Sequence, residues 1–141
     1  MHVIVVEACG RTSCDRSSPP TLTGLAAGGI HYPDASAITI AETLPNHTAM
    51  MTGVLPARSG VPANSVYDPA IDKKRDLDRP SDLQASTVLD RVRTELGLTT
   101  ASVLSKRYLH GLFGDRASLV WDPQPLVPGT EHAPDNFTID A

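Results

Sequence analysis

Apolar runs and helix-period segments alternate along this chain, and their order predicts alternating strands and helices. Short apolar runs suited to strands are found at residues 2–6, 35–40, 98–104 and 117–121. Segments with helical spacing or helix end signals are found at residues 21–27, 45–53, 86–97 and 106–113. A β-α-β-α order of this kind favours an α/β fold, with a parallel sheet that is covered by helices on both faces.

The segment between the second and third predicted helices, residues 54–85, is rich in Pro, Gly and Asp and is predicted to be a loop. Directly after it, Ser86 is expected to cap the third helix, which carries an apolar stripe of helical period. Gly97 is expected to end this helix, because glycine readily adopts the left-handed conformation that a helix C-terminus often needs.

The hexapeptide TLPNHT at residues 43–48 places a hydroxyl beside the start of a helix. Pro45 is expected to open that helix, since its fixed φ suits the first turn and its missing N–H would be unpaired there. Leu44 would then be the approximate cap, and the Thr43 hydroxyl would lie just outside the helix. The free N–H groups and partial positive charge at a helix N-terminus form an anion site suited to phosphate.

Residues 43–69, TLPNHTAMMTGVLPARSGVPANSVYDP, resemble the type I phosphodiesterase / nucleotide pyrophosphatase family of the alkaline phosphatase superfamily. The motifs of that family are matched here in order, at Thr43 in T-L-P-N-H, at Thr52-Gly53, from Pro56 to Gly60, and from Asn64 to Pro69. The resemblance implies an α/β fold, namely the N-terminal part of an alkaline-phosphatase-like parallel sheet with helices on both faces. Residues 1–141 would be the N-terminal fragment of a single catalytic domain.

The resemblance also implies a site that contains Thr43 and Asn64. Thr43 would be the nucleophile that forms a covalent phospho- or nucleotidyl-threonine, and its oxygen would bind a metal. Two zinc ions would activate that oxygen and stabilise the leaving oxygen of an in-line displacement. Asn64 would bind a phosphoryl oxygen, although Ala-Asn-Ser is also good turn chemistry, so that a plain turn residue is the alternative.

Two further polar residues invite functional roles that the sequence does not favour. His47 lies one helical turn from Thr43 and could be taken for a metal ligand. The corresponding histidine of the family is not a ligand, so we expect His47 to be structural. Lys106 follows a predicted strand and could face an anion, but a solvated lysine at the start of a helix is the preferred interpretation.

The metal ligands of the family are mostly missing from this sequence. The first strand should lead into Asp-Gly, whereas residues 7–14 read EACGRTSC. Glu7 stands where the ligating Asp belongs, and Cys9 is another possible zinc ligand. With GC-rich codons, a shift of frame within residue 7 gives GLRPDEL, the family motif, so we take a compensated frameshift as our hypothesis. The later ligand motifs of the family, a D-x-x-x-H segment, a D-H pair and a final His, have no counterpart here.

Composition narrows the range of partners. A net charge of −4 without a basic stripe argues against a nucleic-acid polymer, and a small phosphate ester or nucleotide is the expected substrate. No apolar run is long enough for a secretory signal or a membrane span, which favours a cytoplasmic location without membrane contact. Two cysteines do not make a disulfide framework. The sequence does not predict the oligomeric state.

Three functions therefore stay open at this point. The first is zinc-dependent hydrolysis of phosphodiester or nucleotide pyrophosphate bonds. The second is hydrolysis of a related phosphate ester or phosphonate, of the phosphonoacetate type. The third is a non-catalytic truncated or frameshifted remnant. Because most ligand motifs are missing, the 141-residue chain by itself is expected to be inactive.

Overall fold

The computed structural model describes residues 1–5, 20–30, 32–104 and 106–121 of the chain. The chain divides into two compact units, Met1–Ser36 and Ala37–Ala141. No helix in the described part is long and apolar enough to cross a membrane.

The first unit contains one described helix, α1, which spans Pro20–Gly28 and confirms the helix predicted at residues 21–27. Residues 1–5 have no regular secondary structure, and the valine and isoleucine side chains among them are exposed. The strand predicted at residues 2–6 is therefore wrong over its described part. The β-branched side chains favour a strand only where a neighbouring strand pairs with it, and no described residue of this unit supplies one.

The second unit contains four helices and four strands in its described part. The helices are α2 (Thr43–Thr52), α3 (Pro56–Ser59), α4 (Val88–Leu96) and α5 (Arg107–Phe113). The strands are β1 (Ser65–Asp68), β2 (Lys73–Asp76), β3 (Ala101–Val103) and β4 (Leu119–Trp121). Short 3-10 turns lie at Pro80–Asp82 and Gly114–Arg116.

A parallel strand pair confirms the predicted fold class. In β3 and β4, Ala101 lies opposite Leu119 and Val103 lies opposite Trp121. Their connection passes through α5, since parallel strands need a crossover rather than a tight turn. Both strands and the helix between them lie inside the predicted segments, and the chain is a mixed α/β protein.

The predicted loop at residues 54–85 is wrong, because it contains α3 and an antiparallel hairpin. In the hairpin, Ser65 pairs with Asp76 and Asp68 pairs with Lys73. The Asp68 carboxylate accepts the N–H of Ala70 at 3.0 Å and so stabilises the turn between the strands. The turn-forming residues of this segment thus connect two strands. The amino-acid composition of the segment does not distinguish such a hairpin from a loop.

No strand forms at residues 35–40, contrary to the prediction. The side chain of Asn46 bonds to the backbone groups that a neighbouring strand would otherwise pair. Its Oδ1 accepts the N–H of Ile38 at 3.0 Å, and its Nδ2 donates to the carbonyl oxygens of Ile40 and Glu42 at 2.8 Å each. The chain before α2 is therefore bound to the first turn of that helix.

The helix α4 begins one residue later than predicted. Thr87 rather than Ser86 is its N-cap, and the Thr87 hydroxyl accepts the N–H of Asp90 at 3.2 Å. In return, the Asp90 carboxylate accepts the N–H of Thr87 at 2.8 Å, which completes a capping box. Gly97 ends the helix with a φ of 63°, as predicted.

The core of the second unit is made of aliphatic side chains and one phenylalanine. Its members are Leu44, Val61, Leu77, Leu83, Leu109, Leu112 and Phe113. On α5, Gly111 lies against the backbone of Asp78, where an added Cβ would overlap the carbonyl oxygen. Only glycine allows the helix to approach the chain this closely.

Candidate active site

Thr43 is the first residue of α2 and is half-buried. The N-cap is Glu42, whose backbone is extended (φ −107°, ψ 159°), and not Leu44 as predicted. The helix thus begins two residues earlier than expected. Pro45 occupies the third helical position, where its missing N–H still removes no intrahelical hydrogen bond. The Thr43 hydroxyl consequently belongs to the first turn itself.

Leu44 fixes this first turn in two ways. Its side chain is fully buried in the core. Its backbone N–H, which has no acceptor within the helix, donates to Oδ1 of Asn64 at 2.8 Å. The Asn64 side chain therefore caps α2 from a position that is 20 residues further along the chain.

Asn64 is held by its backbone as well as by its side chain. Its N–H donates to Oε2 of Glu42 at 2.5 Å, and its carbonyl oxygen accepts the N–H of Leu77 at 2.9 Å. Its Nδ2 donates to no residue in the described part of the chain. Both protons of Nδ2 are thus available to a ligand beside the first turn of α2. The structure brings Asn64 next to Thr43, while their catalytic roles stay predictions.

Lys106 is the residue that the sequence interpretation missed. It is half-buried rather than solvated, and its Nζ donates to Oγ1 of Thr43 at 3.4 Å. The same ammonium lies 5.9 Å from the ring centroid of Tyr108. Lys106 is the N-cap of α5, just after β3. The useful sequence signal was this position after a strand, since ligands of parallel sheets bind at the carboxyl ends of the strands.

His47 contacts the backbone of the same turn. Its Nδ1 lies 2.9 Å from the carbonyl oxygen of Thr43. Because a carbonyl oxygen can only accept, Nδ1 carries the proton in this contact. The contact agrees with the expected structural role of His47.

The described residues do not fit a zinc ion. Among them, no group of three or more His, Cys, Asp and Glu side chains could hold a metal. Thr43 is the one predicted ligand that they include. Glu7, the other predicted ligand, and Cys9 lie outside the described residues. We therefore derive no chemical step through a metal.

The arrangement is suited to an anion at the start of α2. The N-terminus of a helix carries a partial positive charge, and its first N–H groups point outward. Lys106 adds a full positive charge at the Thr43 hydroxyl, and Nδ2 of Asn64 adds two neutral donors nearby. A hydroxyl among such donors can attack a phosphorus atom whose oxygens they bind.

The chain matches one family model and parts of two solved structures. The family model described as type I phosphodiesterase / nucleotide pyrophosphatase matches residues 1–130. A crystal structure of phosphonoacetate hydrolase from Sinorhizobium meliloti 1021 with phosphonoformate matches at 28% identity and a TM-score of 0.49, over 57% of this chain and 19% of that one. The complex of that hydrolase with phosphonoacetate matches at 29% identity and a TM-score of 0.44, over 51% of this chain and 17% of that one.

The aligned part of this chain spans less than a fifth of the length of those hydrolase structures. No curated protein sequence matches the chain.

Proposed function

This chain belongs to the type I phosphodiesterase / nucleotide pyrophosphatase family, and we propose that it contributes the nucleophile of a phosphodiester or nucleotide pyrophosphate hydrolase. The reaction proceeds through a covalent intermediate on Thr43. The observation that carries this proposal is the convergence of Lys106 and Asn64 on the first turn of α2, where the Thr43 hydroxyl lies.

In the first step, Oγ1 of Thr43 attacks the phosphorus atom in line with the leaving oxygen, and the bond between phosphorus and that oxygen breaks. The proton of the Thr43 hydroxyl passes through solvent water to the leaving oxygen. The ammonium of Lys106, 3.4 Å from Oγ1, stabilises the negative charge that Oγ1 gains as it loses its proton. Water then hydrolyses the threonine ester and restores the hydroxyl.

The oxygens of the transferred phosphoryl group gather negative charge and need fixed donors. Nδ2 of Asn64 supplies such donors, because Oδ1 of the same amide is held by the N–H of Leu44. The backbone N–H of Thr43, the first N–H of the helix, is another. Both groups are pre-oriented by the fold and require no rearrangement when the substrate binds.

The proposal extends to two zinc ions in the protein expressed from its complete gene, although the described residues by themselves do not fit a metal. Thr43 and Glu7 would be two of their ligands. Metal analysis of the protein expressed from its complete gene tests this part by itself: two zinc equivalents per chain support it, and a metal-free protein that still turns over substrate contradicts it.

A second candidate is the hydrolysis of a phosphonate that carries a further anionic group, such as phosphonoacetate. The specific observation in its favour is Lys106, since an ammonium beside the nucleophile suits a substrate with more than one negative charge. Release of inorganic phosphate from phosphonoacetate separates this activity from release of p-nitrophenol from bis-p-nitrophenyl phosphate.

Thr43 provides the decisive test of the proposed function. In the protein expressed from its complete gene with zinc present, Thr43→Ala is expected to abolish turnover of bis-p-nitrophenyl phosphate. Thr43→Ser is expected to keep a fraction of it, because a hydroxyl remains in the same turn. Thr48→Ala on the same helix is the matched control. A fully active Thr43→Ala variant contradicts the nucleophile assignment, and absence of turnover from every substrate supports the non-catalytic alternative.

The 141-residue chain by itself is proposed to be inactive and to bind zinc weakly, since its described residues offer too few ligands for a metal. A zinc-supplemented assay of the purified chain checks this expectation. Turnover that depends on Thr43 would show that residues 1–141 contain a complete site.

A further inference from the structure

Glu42 makes a contact that the proposed reaction does not yet use. It is the N-cap of α2, but its carboxylate makes no cap hydrogen bond to the helix. A short N-cap side chain, such as that of Asp or Ser, normally accepts the N–H of the second or third helical residue. Here the second N–H, that of Leu44, is bound by Asn64, and the third residue is Pro45, which has none. Neither of these two helix positions therefore offers the Glu42 carboxylate a free N–H.

Instead, the carboxylate crosses to the segment that supplies the cap. Oε2 of Glu42 accepts the backbone N–H of Asn64 at 2.5 Å, across 22 residues of sequence. Asn64 in turn accepts the N–H of Leu44, two residues after Glu42, through its Oδ1. The two bonds form a reciprocal pair, equivalent to a capping box whose halves come from different parts of the chain.

This reciprocal pair determines where the Asn64 amide can lie. The carboxylate bond and the bond from Leu77 fix the backbone of Asn64 on both sides. With the backbone fixed, the bond from Leu44 to Oδ1 selects the orientation of the side-chain amide. Because Oδ1 and Nδ2 belong to the same planar amide group, the bond that orients Oδ1 also determines the direction of Nδ2. The bond to Glu42 is thus one of the two that fix the backbone from which this amide projects.

We propose that Glu42 is a positioning residue of the active site, whose carboxylate holds Asn64 so that Nδ2 faces the phosphoryl group bound beside Thr43. The proposal rests on the proposed function of the same site. Glu42 touches neither the substrate nor Thr43 Oγ1 in this role, and it acts only through Asn64.

The role depends on an acceptor oxygen of the right reach rather than on charge. Glutamine keeps a side-chain carbonyl oxygen at the same distance from the backbone, whereas alanine removes it. Glu42→Gln is therefore expected to behave much like the wild type, and Glu42→Ala is expected to release Asn64. A matched control is Glu95→Ala, which removes an exposed carboxylate paired with Arg91 on α4.

Amide hydrogen exchange tests the contact without reference to activity. In Glu42→Ala, the N–H of Asn64 and that of Leu44 are both expected to exchange at least about tenfold faster than in the wild type. The N–H of Gly97, bonded to Arg93 at the end of α4, should exchange at an unchanged rate, which excludes global unfolding. Unchanged exchange of Asn64 in Glu42→Ala overturns the proposal, as does equal acceleration of all three amides.

A double-mutant cycle tests the catalytic consequence in the protein expressed from its complete gene. Asn64→Ala is expected to lower kcat by about 10²–10³, the usual loss for one transition-state donor. Glu42→Ala is expected to lower kcat by about 10² through misplacement of that donor, with KM nearly constant. In the Asn64→Ala background, Glu42→Ala should cost nothing further. Independent, multiplying losses overturn the positioning role.

The two experiments separate the inference from the function on which it rests. A wild-type protein without turnover contradicts the proposed function, while the exchange rates still decide whether Glu42 holds Asn64. An active protein with unchanged exchange in Glu42→Ala contradicts the inference alone.

Discussion

At the scale of single residues, the two ends of the Asn64 amide have different tasks. Oδ1 caps α2 through the N–H of Leu44, and Nδ2 is left for a ligand. Lys106 also has a structural and a chemical contact, because its ammonium lies over the Tyr108 ring and donates to the Thr43 hydroxyl. In both cases a structural contact fixes the side chain in the position that its proposed chemistry requires.

Lys106→Met tests the contribution of the ammonium at this scale. Methionine keeps much of the aliphatic length but removes the charge, so the Thr43 hydroxyl loses its contact with an ammonium group. We expect kcat to fall by about 10²–10³ in the protein expressed from its complete gene, as for the loss of one charged or polar donor. The measurement is steady-state hydrolysis of bis-p-nitrophenyl phosphate.

Lys74→Met, on the exposed face of β2, is the matched control for loss of a lysine charge. It should leave kcat unchanged. If Lys106→Met and Lys74→Met have the same kcat, the Lys106 ammonium does not contribute to the reaction.

At the scale of elements, the N-terminal end of α2 is organised by side chains from outside the helix and from its own first turns. Asn46 binds the chain that enters the helix, through bonds to Ile38, Ile40 and Glu42. Asn64 binds the first turn from the other side. Thr43 therefore lies between two asparagine side chains that each satisfy backbone groups.

Asn46→Ala is expected to loosen the entry to α2. Three hydrogen bonds are lost, and the backbone N–H of Ile38 has no other acceptor among the described residues, so the free energy of unfolding should fall by about 1–3 kcal/mol. Urea denaturation of the second unit within the intact chain measures this change. Thr94→Ala, which removes one exposed hydroxyl bond on α4, is the control and should change it by less than about 0.5 kcal/mol. Equal stability of the two variants would contradict the role of Asn46.

The elements show why some predictions succeeded and others failed. The end of α4 at Gly97 was predictable because a left-handed glycine is a local signal that requires no distant partner. The strand at residues 35–40 was not predictable, because Asn46 replaces the partner strand and nothing in the run itself reveals this. Strand formation depends on pairing, and pairing is decided by the rest of the chain.

The same distinction applies to the site. Thr43 and Asn64 were found from a sequence motif, and the structure places them side by side. Lys106 was misassigned because its contact with Thr43 spans 63 residues and depends on how α5 packs. Glu42 carried no signal at all, since its contact with the N–H of Asn64 spans 22 residues.

At the scale of the second unit, two arginine–aspartate pairs connect different secondary-structure elements. Arg75 on β2 donates to both oxygens of Asp82, at 2.8 and 3.0 Å, and Arg116 donates to Asp90 at 2.7 Å. Burial by itself would raise the pKa of each carboxyl, but hydrogen bonds lower it by more. For Asp82 the bonds from Arg75 and the backbone of Arg79 outweigh burial, so that its pKa is lowered. For Asp90, bonds from Thr87 and Arg116 have the same effect.

These lowered pKa values predict a loss of stability in acid. Because the folded protein binds these two protons less readily than the unfolded chain, the stabilisation is present well above the ordinary aspartate pKa of about 3.9. It is lost as the pH falls through the lower pKa values of the folded state. We expect the urea midpoint to decrease on acidification below about pH 4, measured by denaturation at a series of pH values.

Asp82→Asn isolates one of the two carboxyls. The variant should be less stable than the wild type at neutral pH and should depend less on pH in the acid range, because it has no charge to lose at this position. Glu95→Gln, at the exposed pair with Arg91, is the control and should follow the wild-type profile. Parallel profiles for Asp82→Asn and the wild type would contradict the assignment.

Gly111 determines how closely α5 approaches the backbone of Asp78, and the same helix has Lys106 at its N-terminal end. A helix of this length moves as a rigid body, so a methyl group at position 111 would displace the whole of α5 from its neighbour. The displacement would also shift the ammonium that lies 3.4 Å from Oγ1 of Thr43. The distance between the Lys106 ammonium and the Thr43 hydroxyl is therefore set, five residues further along the chain, by a hydrogen atom that stands where every other amino acid carries a carbon.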